Sequence, residues 1–374
     1  MQLKPISSPI ASRPLRRGSV IVLVLLTVFL AAFLLAKFVQ RAGTEMLADA
    51  RAADQARLRR EAYSALEVTL AVLADFRAND GGLRSPAQGW DDPLDYAGYQ
   101  PEGGRTVQVE YEDESGKLSL PGANAAALQN LLQQIGLARA EAELTTDALL
   151  GWTLPEHLAA SPETDPHNYE RRALPHGPAL RPLRTFAELA SIEYARDFFF
   201  DPNGEPTEIF RAFRASVSLY SFSKINLNTA SPAALAAAGI DANQSEAMRA
   251  HTARQAATGG TPFFNSVNEA TPLLGANAPL NQLGVEVSAL RIKITVRDGV
   301  ATYRLEAVIA PPGGATLAPA PKPLASDEKT PSATAPAPAT TPTANTNTKK
   351  LDYPFKVLEI VEDVAAPDPV ETQK

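Results

Sequence analysis

Hydrophobic positions change their spacing along this chain, and each change marks an element. The run Ser19 to Ala36 is apolar and uncharged throughout, close to the roughly 17 to 25 residues that span hydrocarbon. Beyond it Val39, Ala42, Met46, Ala50, Ala53, Ala62, Leu66, Leu70, Leu73 and Phe76 recur mostly three or four apart, which predicts a continued helix with one apolar stripe. Gly43 is the only glycine in that stretch and no proline follows before Pro86. A helix from Ser19 to about Arg77 would be about 85 Å long at 1.5 Å per residue. Arg51, Asp54, Arg57, Arg59, Arg60 and Glu61 are expected on its solvated face. The same stripe would also suit a coiled-coil stalk.

The period then shortens. After a Pro/Gly/Asp-rich stretch from Asp80 to Gly104, Val107, Val109 and Tyr111 alternate with polar residues, predicting a strand, and an acidic turn through Glu112 to Leu118 leads into a second. Ala125 to Ile135 reads as a helix stopped by Gly136, Thr145 to Trp152 as another, and Thr185-x-x-Glu188 as a capping box opening a helix over Leu189, Ile192 and Tyr194. Ile225 and Leu227 end a strand; Ser231 with Pro232 starts a short helix, Gly239 ends it, and Asp241 caps the next as far as Ala257. Ile292, Ile294 and Val296 alternate, Asp298-Gly299 signals a hairpin, and Tyr303 to Ile309 returns. Pro311 to Lys350 is Pro/Ala/Thr-rich and expected to be disordered. Phe355 to Val361 reads as a last strand, expected to join the same sheet in preference to a partner; an insert of that length costs little closure entropy.

These elements predict an α+β fold: a long N-terminal transmembrane helix, then a small mixed or antiparallel sheet head carrying an inserted, mainly helical domain. The expected parts are a leader (1–18), the helix (19–79), the first part of the head (80–120), the insert (121–285, with a helix pair near 224–260), the C-terminal hairpin (286–310), a linker (311–350) and the last strand with its tail (351–374).

Composition narrows the functions. The chain has 374 residues, no cysteine and a formal net charge of -7, which excludes disulfides and thiolate metal sites and argues against a general polyanion binder. Lys4, Arg13, Arg16 and Arg17 precede the apolar run, while Lys37, Arg41 and Arg51 follow it, a modest bias placing the C-terminal part outside the cytoplasm. His157, His167, His176 and His251 show no metalloprotease spacing, and neither a Gly-x-Ser-x-Gly nor a phosphate-cradling loop occurs. No catalytic activity and no catalytic residue are expected. Asp201-x-Asn203-Gly204-Glu205 spaces oxygen ligands like half a calcium loop, but an ordinary turn is the expected form, so no metal or cofactor site is assigned.

The segment Arg16-Arg17-Gly18-Ser19-Val20-Ile21-Val22-Leu23 resembles the processing site of type IV prepilins and type II secretion pseudopilins. The resemblance implies peptidase cleavage after Gly18, leaving Ser19 as the first mature residue and the apolar helix on the product. Most such subunits carry Glu at the fifth mature position, which here is Leu23. That substitution, Asp113-x-x-Gly116-Lys117-Leu118-Ser119-Leu120, Leu183 to Ile192, and Lys224-Ile225-Asn226-Leu227-Asn228-Thr229 together resemble the K-type minor pseudopilin of type II secretion. The family's Trp-Ile-Asp run is weakened here to Trp152-Thr153-Leu154. The resemblance implies a subunit at the fibre tip, in the inner membrane with a periplasmic head. Its implied partners are other minor pseudopilins, the prepilin peptidase and the inner-membrane secretion platform, and calcium is its one implied cofactor. Two other readings stand beside it. The Ile225 to Ser231 segment also resembles DNA-uptake helix-hairpin-helix proteins, although Asp241 stands where such a turn needs glycine; nucleic acid is therefore not an expected partner. An anchored periplasmic scaffold would account for the helix alone.

Overall fold

The computed structural model describes residues 18–171, 176–275, 278–318 and 354–362. The leader expected before Gly18, most of the 311–350 linker and most of the 351–374 tail lie outside the described residues. The elements, in chain order, are α1 (Gly18–Asp80), α2 (Pro93–Tyr96), β1 (Thr106–Asp113), β2 (Leu118–Ser119), α3 (Ala125–Gln134), α4 (Arg139–Thr153), α5 (Arg196–Phe199) and α6 (Glu208–Ser216). They continue as β3 (Val217–Ser218), β4 (Tyr220–Ser221), β5 (Ile225–Asn226), α7 (Pro232–Ala237), α8 (Ala242–Ala257), α9 (Val267–Leu274), β6 (Leu283–Gly284), β7 (Leu290–Asp298), β8 (Ala301–Ala310), β9 (Thr316–Leu317) and β10 (Lys356–Glu362). The fold is the expected mixture of helix and sheet with a long apolar N-terminal helix.

The chain divides into two compact units, one ending at Leu58 and the other beginning at Arg59. In the first, α1 is long and apolar enough to cross a membrane. Its large apolar side chains from Val20 to Val39 all face outward, as a helix solvated by lipid would leave them.

The second unit is built around a four-stranded sheet in the order β1-β7-β8-β10, every pair antiparallel. Alternation decides its faces: Leu290, Ile292, Ile294 and Val296 are buried while Arg291, Lys293 and Thr295 stay half-exposed. Asp298 pairs with Ala301, so the hairpin loop is Gly299-Val300, one residue later than the sequence signal. Gly299 takes φ +57°, the left-handed backbone such turns require. β1 lies along β7 from Thr106 opposite Arg297 to Asp113 opposite Leu290, and Glu114 N donates to Ala289 O at 3.0 Å. The chain thus leaves the sheet after Asp113 and returns to it beside the same residue. β10 pairs with β8, with a bulge between Val357 and Glu359.

Between those points lies a helical body with its own apolar core, in which Leu128, Leu131 and Leu132 of α3, Leu149 of α4, Phe199, Phe213 and Leu235 are almost fully buried. The caps explain the helix starts. Asn124 accepts from Ala127 N at 2.9 Å, Ser231 from Ala234 N at 3.2 Å and Asp241 from Gln244 N at 2.8 Å. Two local expectations fail. α4 begins at Arg139, before the expected Thr145, because Glu141 accepts from Ala138 N at 2.9 Å and supplies the cap that Ala138 lacks. The Thr185 box opens only a 3-10 turn, Phe186–Ser191, and Tyr194 stands at φ +62° outside any helix.

Within the second unit, Ala62, Ala65, Leu66, Thr69, Val72 and Leu73 form the buried stripe of α1. Glu61 does not lie on a solvated face. It is buried, accepting from Tyr99 OH at 2.6 Å and Arg105 Nη1 at 3.0 Å, and the buried carboxylate is tolerable because both oxygens find a donor.

Candidate assembly site

The processing residues stand at the start of α1. Gly18 is its first residue, and Leu23 lies on an outward-facing surface, 62% exposed. An apolar side chain there needs no partner in lipid, whereas a carboxylate costs up to about 2.5 to 3.5 kcal/mol on insertion scales, the full value applying at the centre of the bilayer.

The two internal motifs read from the sequence meet at the base of the inserted body. Asp113 ends β1 and is buried. One oxygen accepts from Ser115 N at 2.8 Å and Ser115 Oγ at 2.5 Å, and the other from Asn226 Nδ2 at 2.7 Å and Thr229 Oγ1 at 2.5 Å. Burial pushes this carboxyl above the ordinary range, and the donated bonds oppose that rise. Asn226 Nδ2 also donates to Arg84 O at 2.9 Å. Asn228 donates to Phe264 O and Val285 O at 3.1 and 3.0 Å, and its Oδ1 accepts from Phe264 N at 2.8 Å. Asn226 and Asn228 therefore tie separate pieces of backbone together, and Thr229 closes the junction onto Asp113. Gly116 permits the approach, since a Cβ there would lie 2.7 Å from Thr229 Oγ1 and 2.9 Å from its backbone.

Beside this junction runs a band of ion pairs that sequence reasoning missed, because Arg291, Lys293 and Glu306 lie far along the chain from Glu112, Glu114 and Lys117. Lys117 Nζ and Lys293 Nζ each bind Glu112 at 2.5 Å, Lys117 also reaches Glu114 at 3.3 Å, and Arg291 binds Glu114 at 2.8 Å and Glu306 at 3.2 Å. Burial raises the Glu112 carboxyl, but the Lys117 and Lys293 ammoniums outweigh it and hold it down at about 2.

The arrangement answers the competing chemistry. Asp201 Oδ1 accepts from Asn203 N at 2.8 Å and Glu205 N at 2.9 Å. These residues thus form a turn held by the Asp201 carboxylate. Among the described residues, no three His, Asp or Glu side chains gather in a way that could hold a metal. In the helix pair, Gly239 takes φ +83° and the Asp241 carboxylate occupies the start of α8. A phosphate approaching those backbone N–H groups would meet that charge.

Residues 113–197 match the family model for the type II secretion system (T2SS), protein K. Over that stretch the chain is similar to protein K of type II secretion. The match begins at Asp113, the residue where the chain departs from the sheet. In fold, the chain is similar to a chain of the crystal structure of the GspK-GspI-GspJ complex from the enterotoxigenic Escherichia coli Type 2 Secretion System. The TM-score is 0.52 at 13% identity, covering 84% of this chain and 100% of that one. No curated protein matches significantly in sequence. The apolar N-terminal helix fits a single-pass membrane anchor.

Proposed function

We propose that this chain is the tip subunit of a type II secretion pseudopilus, processed after Gly18 and working without chemistry of its own. The observation that carries the reading is the union of a stretch similar to protein K with an uncharged apolar helix that starts at Gly18 and has Leu23 where an acid is usual in pseudopilins.

The mechanism follows from charge and packing. A prepilin peptidase cuts between Gly18 and Ser19, freeing the Ser19 amine while α1 stays in the inner membrane with the head in the periplasm. In a fibre of such helices, an acid at the fifth position would neutralise the amine of the subunit above. Leu23 offers no acid, so nothing of this kind can be stabilised above it, and the top position is the one left. The head then joins other minor pseudopilins, as GspK does with GspI and GspJ in the complex named above, and growth proceeds beneath it on the secretion platform.

Mass spectrometry of the membrane-extracted protein tests the first step. In cells with the peptidase the mature chain should begin at Ser19, and Gly18→Ala should leave the leader attached. An intact N-terminus on the unaltered chain would remove the proposal. Co-purification of the full chain with its minor pseudopilins tests the second step; a chain cleaved at Ser19 but recovered without them would not be a tip subunit.

A further inference from the structure

The C-terminal strand buries far less of itself than the two central strands of the sheet. β7 and β8 each bury a full face of side chains, whereas Val357, Ile360 and Val361 of β10 remain 41, 43 and 39% exposed. Phe355, just before the strand, is buried. Beyond its ladder to β8, the burial of Phe355 and the packing of Leu358 against the cluster around Tyr220 and Val308, β10 is held by a set of polar side-chain contacts. Glu362 accepts from Arg59 Nε at 2.8 Å, Arg59 Nη2 at 2.6 Å and Tyr63 OH at 2.5 Å. Glu359 accepts from Tyr220 OH, and Arg77 Nη1 donates to Pro354 O at 3.4 Å.

The receiving groups are organised without the strand. Arg59 lies over the Tyr63 ring at 5.0 Å, one turn apart on α1, and Tyr220 belongs to β4, which pairs with β9. Residues 319–353 separate β10 from β9, so no short turn dictates where the strand must lie. The Arg59, Tyr63 and Tyr220 groups, together with the edge of β8, read two acids three residues apart on an extended strand. This division of labour marks peptide recognition by strand addition, with the ladder giving affinity and side chains setting register.

We propose that the β8 edge with Arg59, Tyr63 and Tyr220 is a strand-acceptor site for an extended acidic peptide, filled by the chain's own Lys356–Glu362 as a separable ligand. The inference is independent of the tip assignment. Leaving the site would uncover the β8 edge, Phe355 and the small cluster under Leu358, and the attached segment returns readily because its covalent attachment keeps its local concentration high.

The test uses the full chain in detergent with a protease site inserted between Ala335 and Pro336. After cutting, a fluorescein-labelled peptide spanning Pro354 to Glu362 is added and its anisotropy followed. The expected result is that the head stays folded by near-UV circular dichroism, the labelled peptide replaces the severed segment, and uncut protein excludes it. A peptide carrying Glu359→Gln and Glu362→Gln should bind at least about tenfold more weakly, the scale of losing charge-assisted bonds. Three results overturn the proposal: the head unfolds on cutting, the severed segment never exchanges although the head is native, or the peptide binds uncut protein equally well.

Discussion

Replacing Asp113 by Asn keeps the shape of the side chain and changes only what it can accept. In the native junction each oxygen serves two donors, Ser115 N and Oγ on one side and Asn226 Nδ2 and Thr229 Oγ1 on the other. An amide has one oxygen, so whichever way it turns its NH2 group confronts a pair of donors. In each pair the hydroxyl can turn to accept, which leaves one N–H without an acceptor. A buried donor left unpaired costs about 1 to 3 kcal/mol. Part of that is offset, because burial already holds the Asp113 carboxyl above its ordinary range and Asn relieves the buried charge. A net loss of about 1.5 kcal/mol remains, which in a domain of this size lowers the melting temperature by roughly 3 °C. Thermal melts of the full chain in detergent, followed by near-UV circular dichroism, would measure it. Combining Asp113→Asn with Thr229→Ala should show a coupling of about 1 to 2 kcal/mol, because the two share a bond. An unchanged melt, or strictly additive losses, would refute the view that this carboxylate joins sheet to insert.

Three further predictions concern other contacts. Glu112 has its carboxyl held down at about 2, so it contributes stability that is complete above its unfolded value near 4.5 and lost as pH falls from there toward 2. After discounting for partial exposure that contribution is about 1 to 2 kcal/mol, and Glu112→Gln should shift the urea midpoint at pH 7 but hardly at pH 2; equal shifts at both would contradict it. Arg105→Ala strands the buried Glu61 with Tyr99 as its remaining partner and should cost about 3 kcal/mol or more, with Glu61→Gln added in the same chain recovering part of the loss in denaturant titrations. Leu23→Glu should let the subunit accept a neighbour above it, so that immunogold labelling spreads from the fibre end along the shaft; labelling that stays terminal would count against the role given to Leu23.

Sequence patterns revealed features whose cause is local. The apolar helix, the β7–β8 hairpin and the caps at Ser231 and Asp241 each depend on residues within a few positions of one another. The Asn226 to Thr229 segment was visible as a motif, but its four separate tasks were not, since its partners Arg84, Asp113, Phe264 and Val285 come from distant parts of the chain. Glu61 was misplaced for the same reason: an acid on a charged stretch of helix looks solvated until Tyr99 and Arg105 are folded onto it. β2 with β3 and β5 with β6 are parallel pairs two residues long, too short for alternation to show. The start of α4 was hidden because alanine stands at its cap and a glutamate three residues later does the capping.

Since Asp113 and Leu290 face each other across the ladder, the whole helical body is a detour taken from what would otherwise be a plain β-turn. Joining those two residues with a short connection would leave every rung of β1 and β7 in place. Such a head could therefore gain, enlarge or exchange its outward-facing ornament without renegotiating the sheet that carries it.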